Sequence, residues 1–246
     1  MRKIVMLMAF FAAGMVANAE EVYENDAAVA PLTVMGDEAN EGGVKIAKGK
    51  DEDDRWSVHA YVGVNVPTSV PSGMKFAPLR SWEVNVTFLQ YDYTPKKSKT
   101  TLSAGLGFGW RAYTLSGHDK MFEKDLSDNV WVVPAAPTYE DLSSNVHTTS
   151  LSMPLFIKQR FSKNFAISVG GQLNWNFYSR LHSSYEIGDK DFDVYTKKID
   201  QRPFSVDVMG IVYVWNLGFY CKYSPMSVFK DGCGPEFKSL AFGLYF

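Results

Sequence analysis

The sequence predicts an all-β protein, an eight-stranded antiparallel up-and-down transmembrane β-barrel. Three observations predict this fold class. Apolar residues recur at every second position in eight segments from Trp56 onward, the connections between these segments alternate between short and long, and the last alternating stretch runs to Phe246. Because successive side chains of a strand point to opposite faces, a period of two indicates strands whose two faces meet different surroundings.

Residues 1–19 predict a signal peptide. Arg2 and Lys3 give a charged start, an apolar run follows over residues 4–16, and the small-residue motif Ala-Asn-Ala occupies residues 17–19. This order of charged, apolar and small-residue regions is typical of a secretory signal and its cleavage site. The apolar run is too short to span a bilayer, so we expect an exported chain without a helical anchor.

Residues 20–55 predict a flexible acidic periplasmic segment between the signal peptide and the barrel. The segment contains small, acidic and glycine residues and shows no sustained period of 2 or 3.6. A stretch of this composition lacks the apolar residues needed to bury a core. We therefore expect the outer-membrane barrel domain to occupy residues 56–246.

The clearest strand is TTLSAGLGFGWRAY, in which apolar residues from Leu102 to Trp110 alternate with serine, glycine and Arg111. Its glycines are two apart and no helix follows them, which argues against a phosphate-binding loop and for small residues in a narrow interior. The eight predicted strands lie, in order, at or near residues 56–66, 81–88, 100–113, 148–161, 165–179, 203–214, 217–224 and 237–246.

The lengths of the connections predict an antiparallel meander. The connections after strands 2, 4 and 6 are short (TPKKSK, SKN and WN), whereas those after strands 1, 3, 5 and 7 are longer, the longest covering residues 116–145. Outer-membrane barrels have short periplasmic turns and long extracellular loops. An even number of strands returns the chain to the periplasmic rim, so we expect residues 240–246 to lie in the closing strand.

The composition of the two strand faces separates a membrane barrel from a soluble, lipocalin-like barrel. In a soluble barrel the apolar face surrounds a ligand and the outer face carries many charges. Here the apolar face is bulky and uninterrupted, whereas the other face consists mostly of Gly, Ser, Thr, Asn and Tyr. This distribution favours a membrane barrel whose apolar face lies against lipid. The aromatic residues near the strand ends are expected to form girdles at the two membrane–water interfaces.

The polar face predicts the lining of the barrel interior. Ions in a narrow, poorly hydrated space need partners, so we expect Glu83 to pair with Arg111 from the adjacent strand. The predicted lumen-lining residues are Glu83, Arg111, Lys158, Asn174 and Asp207. Because eight strands enclose a space that side chains fill, we expect a barrel without a wide pore.

Two hairpins carry a resemblance to a known family. LSMPLFIKQRFSKNFAISVGG (151–171) and YSPMSVFKDGCGPEFKSLAFGLYF (223–246) resemble the central and final hairpins of the small outer-membrane β-barrel proteins of Bacteroidota, which include PorT-like barrels. The resemblance implies an integral protein of a Gram-negative outer membrane, with Phe246 as the signal read by the assembly machinery. The family has no shared catalytic motif, so the resemblance implies no active site.

We expect a protein without enzymatic activity that has a structural, surface-contact or envelope and secretion-accessory role. The alternatives are a lipid-modifying enzyme of the lipid A deacylase or acyltransferase type, and a small porin or transporter. The enzyme alternative depends on LHSSYE, which offers His182, Ser184 and Glu186 close together. A hydrolase needs its base within reach of the nucleophile and a third group that orients the base.

The remaining expectations concern partners and thiols. A net charge of −2 gives no electrostatic case for nucleic acid, and no spacing of histidines or cysteines indicates a metal site or another cofactor. The expected partners are outer-membrane lipid and lipopolysaccharide, the outer-membrane assembly machinery and an envelope protein. Whether Cys221 and Cys233 form a disulfide is left open by the sequence.

Overall fold

A computed structural model describes residues 54–96, 98–188, 190–215 and 217–246. The predicted signal peptide and almost all of the predicted periplasmic segment lie outside the described residues. The strands are β1 (Asp54–Thr68), β2 (Trp82–Tyr93), β3 (Thr100–Thr114), β4 (Lys120–Lys124), β5 (Val130–Pro134), β6 (Glu140–Arg160), β7 (Phe165–Ile187), β8 (Lys190–Lys197), β9 (Phe204–Val214), β10 (Leu217–Ser224) and β11 (Lys238–Tyr245). A short 3-10 helix, Pro78–Arg80, precedes β2.

Eight of these strands form a closed antiparallel ring. Their order is β6, β3, β2, β1, β11, β10, β9, β7, and pairing of β7 with β6 closes the ring. The last strand is held on both edges, by β1 and by β10. Beyond β11, the backbones of Phe246 and Ala60 exchange hydrogen bonds of 2.8 and 3.1 Å. The predicted fold class and the closing strand are confirmed.

The two ends of the barrel differ in their connections. The turn end has the short connections 94–99, 161–164 and 215–216, and the loop end has the long connections 69–81, 115–139, 188–203 and 225–237. The longest predicted loop contains the β4–β5 hairpin, and β8 pairs with the part of β7 that extends past the ring. Within the described part of the chain, no helix is long and apolar enough to cross a membrane.

The exterior of the ring is apolar and the interior is polar. Leu173, Val208 and Phe242 point outward and are 46%, 53% and 43% exposed, whereas Gln172 and Asp207 next to them in sequence are buried. This is the reverse of a soluble barrel, in which the apolar face is enclosed. An apolar exterior of this size requires an apolar surrounding, so the ring is a membrane-spanning barrel.

A bulge in β7 changes which residues face inward at the loop end. Thr149 of β6 is paired with Tyr178, but the next residue, Ser150, is paired with Asn176, so Phe177 is an extra residue in β7. An extra residue reverses the alternation beyond it. Unbroken alternation along the predicted strand 165–179 places Tyr178 on the interior face. That expectation is wrong, because Tyr178 is 38% exposed.

The glycines of β3 make room in the crowded interior. A Cβ atom added to Gly107 would lie 2.6 Å from the carbonyl oxygen of Val86 and 3.0 Å from Oγ of Ser152. A Cβ added to Gly109 would also lie 3.0 Å from two neighbouring side chains. Real Cβ atoms rarely approach other atoms this closely, so larger residues at these positions require their neighbours to move.

The first prediction concerns the apolar exterior. Phe108 points outward, 40% exposed, with its ring 5.5 Å from that of Phe88. An arginine near the bilayer midplane costs about 2–4 kcal/mol, so Phe108→Arg is expected to lower the free energy of unfolding by this amount. Urea titration of the barrel folded into lipid vesicles measures the change.

The matched control is Leu126→Arg, because Leu126 is fully exposed on the connection between β4 and β5. This variant introduces the same charge outside the ring and is expected to be as stable as the wild type. Equal stabilities for the two variants would show that Phe108 does not face lipid.

Candidate functional site

Four ionised side chains meet in the middle of the barrel interior and are called the charged layer: Glu83, Arg111, Asp207 and Lys222. Nζ of Lys222 lies 2.6 Å from Oε2 of Glu83, and Nε of Arg111 lies 3.7 Å from the same oxygen. Arg111 also donates a short hydrogen bond to Asp207, and Nζ of Lys222 lies 3.9 Å from this carboxylate. Two carboxylates and two cations therefore balance.

Strand register brings these four groups to one level. Glu83 of β2 lies directly opposite Arg111 of β3. Asp207 on β9 and Lys222 on β10 belong to neighbouring strands on the other side of β1 and β11. Glu83, Asp207 and Lys222 sit at inward positions of their strands, because the residues before and after each of them lie on the outer face. Arg111 points inward as the directly paired neighbour of Glu83.

A second set of hydrogen bonds adds a donor to Glu83 and links Lys222 to Asp207 through neutral groups. Tyr220 donates its hydroxyl to Oε1 of Glu83 at 2.8 Å. Nζ of Lys222 donates to the hydroxyl of Tyr61 at 3.2 Å, and that hydroxyl donates to Oε1 of Gln172 at 3.1 Å. Both oxygens of the Glu83 carboxylate therefore accept a hydrogen bond, Oε1 from Tyr220 and Oε2 from Lys222.

The chain of donors continues across the barrel to Asp207. Nε2 of Gln172 donates to Oδ1 of Asn174 at 2.7 Å, and Nδ2 of Asn174 donates to Oδ2 of Asp207 at 2.9 Å. Together with the ion pairs, these bonds form a closed circuit around the interior. Oδ1 of Asp207 is the one buried polar side-chain atom of this network that has no hydrogen-bond partner. A buried network whose other members satisfy one another favours one arrangement of side chains.

On the turn side of the charged layer lies an aromatic and apolar cluster. The rings of Tyr61 and Tyr220 are 4.9 Å apart, and those of Tyr213 and Tyr245 are 5.9 Å apart. A Cβ on Gly243 would lie 2.7 Å from Cε1 of Tyr220, so glycine is needed there. The buried members of this turn-side cluster are Tyr61, Phe156, Met209, Ile211, Tyr220, Ala241 and Tyr245, with Tyr213 packed against them.

On the loop side, all four long connections contribute to a second apolar cluster. Phe76 packs on Phe237 with ring centroids 4.7 Å apart, and Phe237 also contacts Phe229 and Tyr113. The buried members of this loop-end core are Met74, Tyr113, Leu115, Phe122, Val130, Val146, Leu181, Ile199, Phe229 and Phe237. Because β4 and β5 supply Phe122 and Val130, the hairpin is anchored to the mouth of the barrel.

The residues predicted to line the lumen occupy different levels of it. Glu83, Arg111 and Asp207 belong to the charged layer, and the predicted pair of Glu83 and Arg111 is present at 3.7 Å. Asn174 is buried beside Asp207. Lys158 is half-buried at the turn end, with its ammonium 4.1 Å from the centre of the Tyr213 ring.

Sequence reasoning missed Lys222, which makes the shorter ion pair with Glu83. The signal was available, because Cys221 and Tyr223 on either side of it belong to the outward face and the alternation then requires Lys222 to point inward. A lysine flanked by lipid-facing residues indicates a buried cation, and a buried cation requires a carboxylate partner.

The two cysteines are free. Cys221 lies on the exposed exterior of β10, and Cys233 lies in the connection 225–237. A hairpin register taken from the sequence alone places Cys221 opposite about Leu240. This expectation is wrong by two residues, because Cys221 is paired with Phe242. The outward direction of the thiol is unaffected, since a shift of two residues preserves the face.

His182 and Ser184 lie on the same face of β7, past the bulge, but they do not form a nucleophile and base pair. Nε2 of His182 lies 2.9 Å from Oδ1 of Asp193 on β8, and the Ser184 hydroxyl bonds to the same carboxylate. These two hydrogen bonds, chiefly that from His182, lower the pKa of the Asp193 carboxyl. Nucleophilic catalysis places the imidazole between hydroxyl and carboxylate, whereas here the carboxylate lies between the other two.

Glu186, the third member of the sequence motif, contributes no hydrogen bond to this group. It faces Asp191 on one side and Glu140 on the other. Among the described residues, no three His, Cys, Asp or Glu side chains are grouped so that they could hold a metal ion.

The second prediction tests the charge balance. Removing one partner of a buried ion pair leaves an uncompensated charge and costs about 3–5 kcal/mol, so Lys222→Met is expected to lower the free energy of unfolding by this amount. The double variant Glu83→Gln with Lys222→Met restores neutrality and is expected to recover most of the loss. Urea titration in vesicles measures both, with exposed Lys230→Met as the control. If Lys222→Met costs no more than Lys230→Met, the charged layer does not require balance.

The barrel geometry agrees with the protein family that the sequence matches. The family model described as outer membrane protein beta-barrel domain matches residues 43–226. The crystal structure of Ail, the attachment invasion locus protein of Yersinia pestis, is similar at 9% identity, covering 80% of this chain and 100% of Ail with a TM-score of 0.34. No curated protein sequence matches the chain. The chain, an outer-membrane protein of the Gram-negative type, belongs to the outer membrane protein beta-barrel domain family.

Proposed function

We propose that this protein is a closed barrel without enzymatic activity that presents a rigid extracellular surface to another protein of the cell envelope. The observation that carries the proposal is the loop-end core, to which all four long connections contribute buried apolar side chains. Loops that share a core hold one arrangement, and loops held on a rigid scaffold are where binding residues concentrate. The PorT-like resemblance of residues 151–171 and 223–246 supports an accessory role in an envelope or secretion complex.

The closed interior follows from the layers that fill it. An eight-stranded barrel leaves space only for side chains, and here that space holds the turn-side cluster, the charged layer and the loop-end core in succession. For an ion to pass the charged layer, Glu83 would have to separate from Lys222, and Asp207 from Arg111. These features favour a barrel that does not conduct over a small porin.

The surface offered to a partner is a partly exposed aromatic patch, formed by Tyr139 just before β6 and by rings on the extension of β7 and β8. Tyr139 stacks on Tyr185 at 4.0 Å, and Tyr185 stacks on Phe192 at 5.7 Å. Ile187 and Val194 flank these rings, and both are about 40% exposed. Aromatic residues on a rigid surface supply contact area at low entropic cost and are enriched at protein interfaces.

The enzyme alternative has less support. Because His182 and Ser184 both bond to Asp193, Ser184 has no base. His182, Ser184 and Asp193 also lie outside the ring, where the hairpin of β7 and β8 extends past the barrel. A lipid-modifying enzyme also needs donors that stabilise a developing negative charge next to the nucleophile. We therefore propose that the role of this extension is contact.

The third prediction concerns conductance. Purified wild-type protein in planar bilayers is expected to give no steady conductance, because the ion pairs and both apolar clusters fill the interior. Glu83→Ala breaks the pairs with Lys222 and Arg111 and is expected to give rare, small openings. Glu140→Ala, which removes an exposed carboxylate at the loop end, is the control and should behave as the wild type. Steady large channels from the wild type would contradict a closed barrel.

The fourth prediction tests the contact surface. A photo-crosslinking amino acid in place of Phe192 is expected to give a discrete protein adduct on intact cells. The same amino acid in place of Leu126, which is exposed but outside the patch, should not give that adduct. Tyr185→Ser in the Phe192 variant should reduce the yield, because it removes the neighbouring ring. Identical adducts at both positions, or none at Phe192, would refute a specific contact through the patch.

A further inference from the structure

Two cations, Arg180 and Lys197, and the imidazole of His147 form a row across the outer face of the barrel, near its loop end, and are called the basic row. His147 on β6 is paired with Arg180 on β7, and Arg180 is paired with Lys197 on β8. The neighbouring residues Val146 and Leu181 are buried in the loop-end core. Because side chains alternate along a strand, His147 and Arg180 point outward, away from that core.

The height of this basic row follows from the residues below it. A second row lies two positions nearer the turn end. In this row Trp110 of β3 is paired with Thr149 of β6, and Thr149 is paired with Tyr178 of β7. Below that row, the lipid-facing residues Trp175 and Phe177 are 51% and 47% exposed.

Tryptophan and tyrosine concentrate at the level of the lipid headgroups. Two residues along a strand span about 7 Å, and the tilt of the strands shortens this distance along the membrane normal. The basic row therefore lies just beyond the aromatic girdle, at the level where the phosphate groups of the outer leaflet are found.

The row is bordered by aromatic rings. The Tyr195 ring stacks on His182 with centroids 4.5 Å apart, and the Arg180 guanidinium lies 5.4 Å from the centre of the Tyr195 ring. On the other side, His147 lies 6.0 Å from the Trp82 ring and 6.5 Å from His182. The stacked rings limit the positions open to the Arg180 side chain.

The charge of the row is not balanced by the protein. Among the described residues, neither Arg180 nor Lys197 forms a salt bridge. The nearby carboxylate of Asp193 is bonded to His182, which is not a member of the row. Like charges directly opposite each other on adjacent strands repel. An anion placed between Arg180 and Lys197 would relieve this repulsion.

We infer that the row of His147, Arg180 and Lys197 binds a phosphate group of an outer-leaflet lipid headgroup. A guanidinium offers two parallel donors that match a phosphate, and an ammonium adds a point charge. The acyl chains of the same lipid would lie along the apolar exterior below, past Phe177 and Trp175. The site depends on the membrane position of the barrel and not on the proposed contact with a partner protein.

The test uses the purified full-length barrel in detergent and lipid A carrying its phosphates as the probe, with bound lipid counted by native mass spectrometry. Loss of two charge-assisted contacts is expected to weaken binding about ten-fold or more in Arg180→Gln with Lys197→Gln. The matched control, Lys75→Gln with Lys190→Gln, removes two exposed basic charges elsewhere at the loop end. It should bind as the wild type does. Arg180→Lys keeps the charge and should retain part of the affinity.

Two further arms identify the source of the phosphate. Dephosphorylated lipid A is expected to bind the wild type and the double variant equally weakly, and inorganic phosphate is expected to compete poorly. Equal loss of binding in the control pair, or unchanged binding in the double variant with its folded state verified by its gel shift on heating, would overturn the site. Binding of inorganic phosphate as tight as that of lipid A would assign the site to a free anion and overturn the lipid proposal.

Discussion

The balance of charge in the middle of the lumen is the constraint on which the rest of the interior depends. Glu83 and Asp207 are tolerated in a space without bulk water because Lys222 and Arg111 bring two positive charges to the same level. Ion pairs of this kind add little net stability, since desolvation offsets their attraction. What they provide is specificity, because a register shift in any one of four strands would leave at least one ion unpaired.

Two apolar layers isolate these ions from water at both ends. The turn-side cluster places Tyr61 and Tyr220 so that their rings pack together while their hydroxyls reach the charged layer. The loop-end core covers the opposite side with residues from all four long connections. The side chains of the loop-end core therefore have two effects. They lower the polarity around the charged layer, which makes an unpaired ion there costly, and they order the extracellular connections.

Period-two alternation was sufficient to predict the ring, because each strand has one face toward lipid and one toward the lumen. It also predicted the level at which Glu83 meets Arg111, since adjacent strands fix that register. The inward direction of Lys222 and Asp207 follows from the same alternation. Their ion pairs with Glu83 and Arg111 join strands that are not neighbours, and no local pattern encodes those contacts. The bulge at Phe177 and the packing of the β4–β5 hairpin were not predictable for the same reason: both depend on contacts between segments far apart in sequence.

The pairing of β1 with β11 has a consequence for how the barrel forms. It joins the beginning and the end of the ring, and Nδ1 of His59 contacts the carbonyl oxygen of Phe246 from 187 positions away. Contacts of such long sequence separation slow folding, because the loop entropy is lost before the strands pair. Until this seam closes, β1 and β11 each present an unpaired edge to which a strand of another molecule can add. The ring is thus most exposed to aggregation during the interval between synthesis and closure, and a catalyst that shields the two edges would shorten that interval.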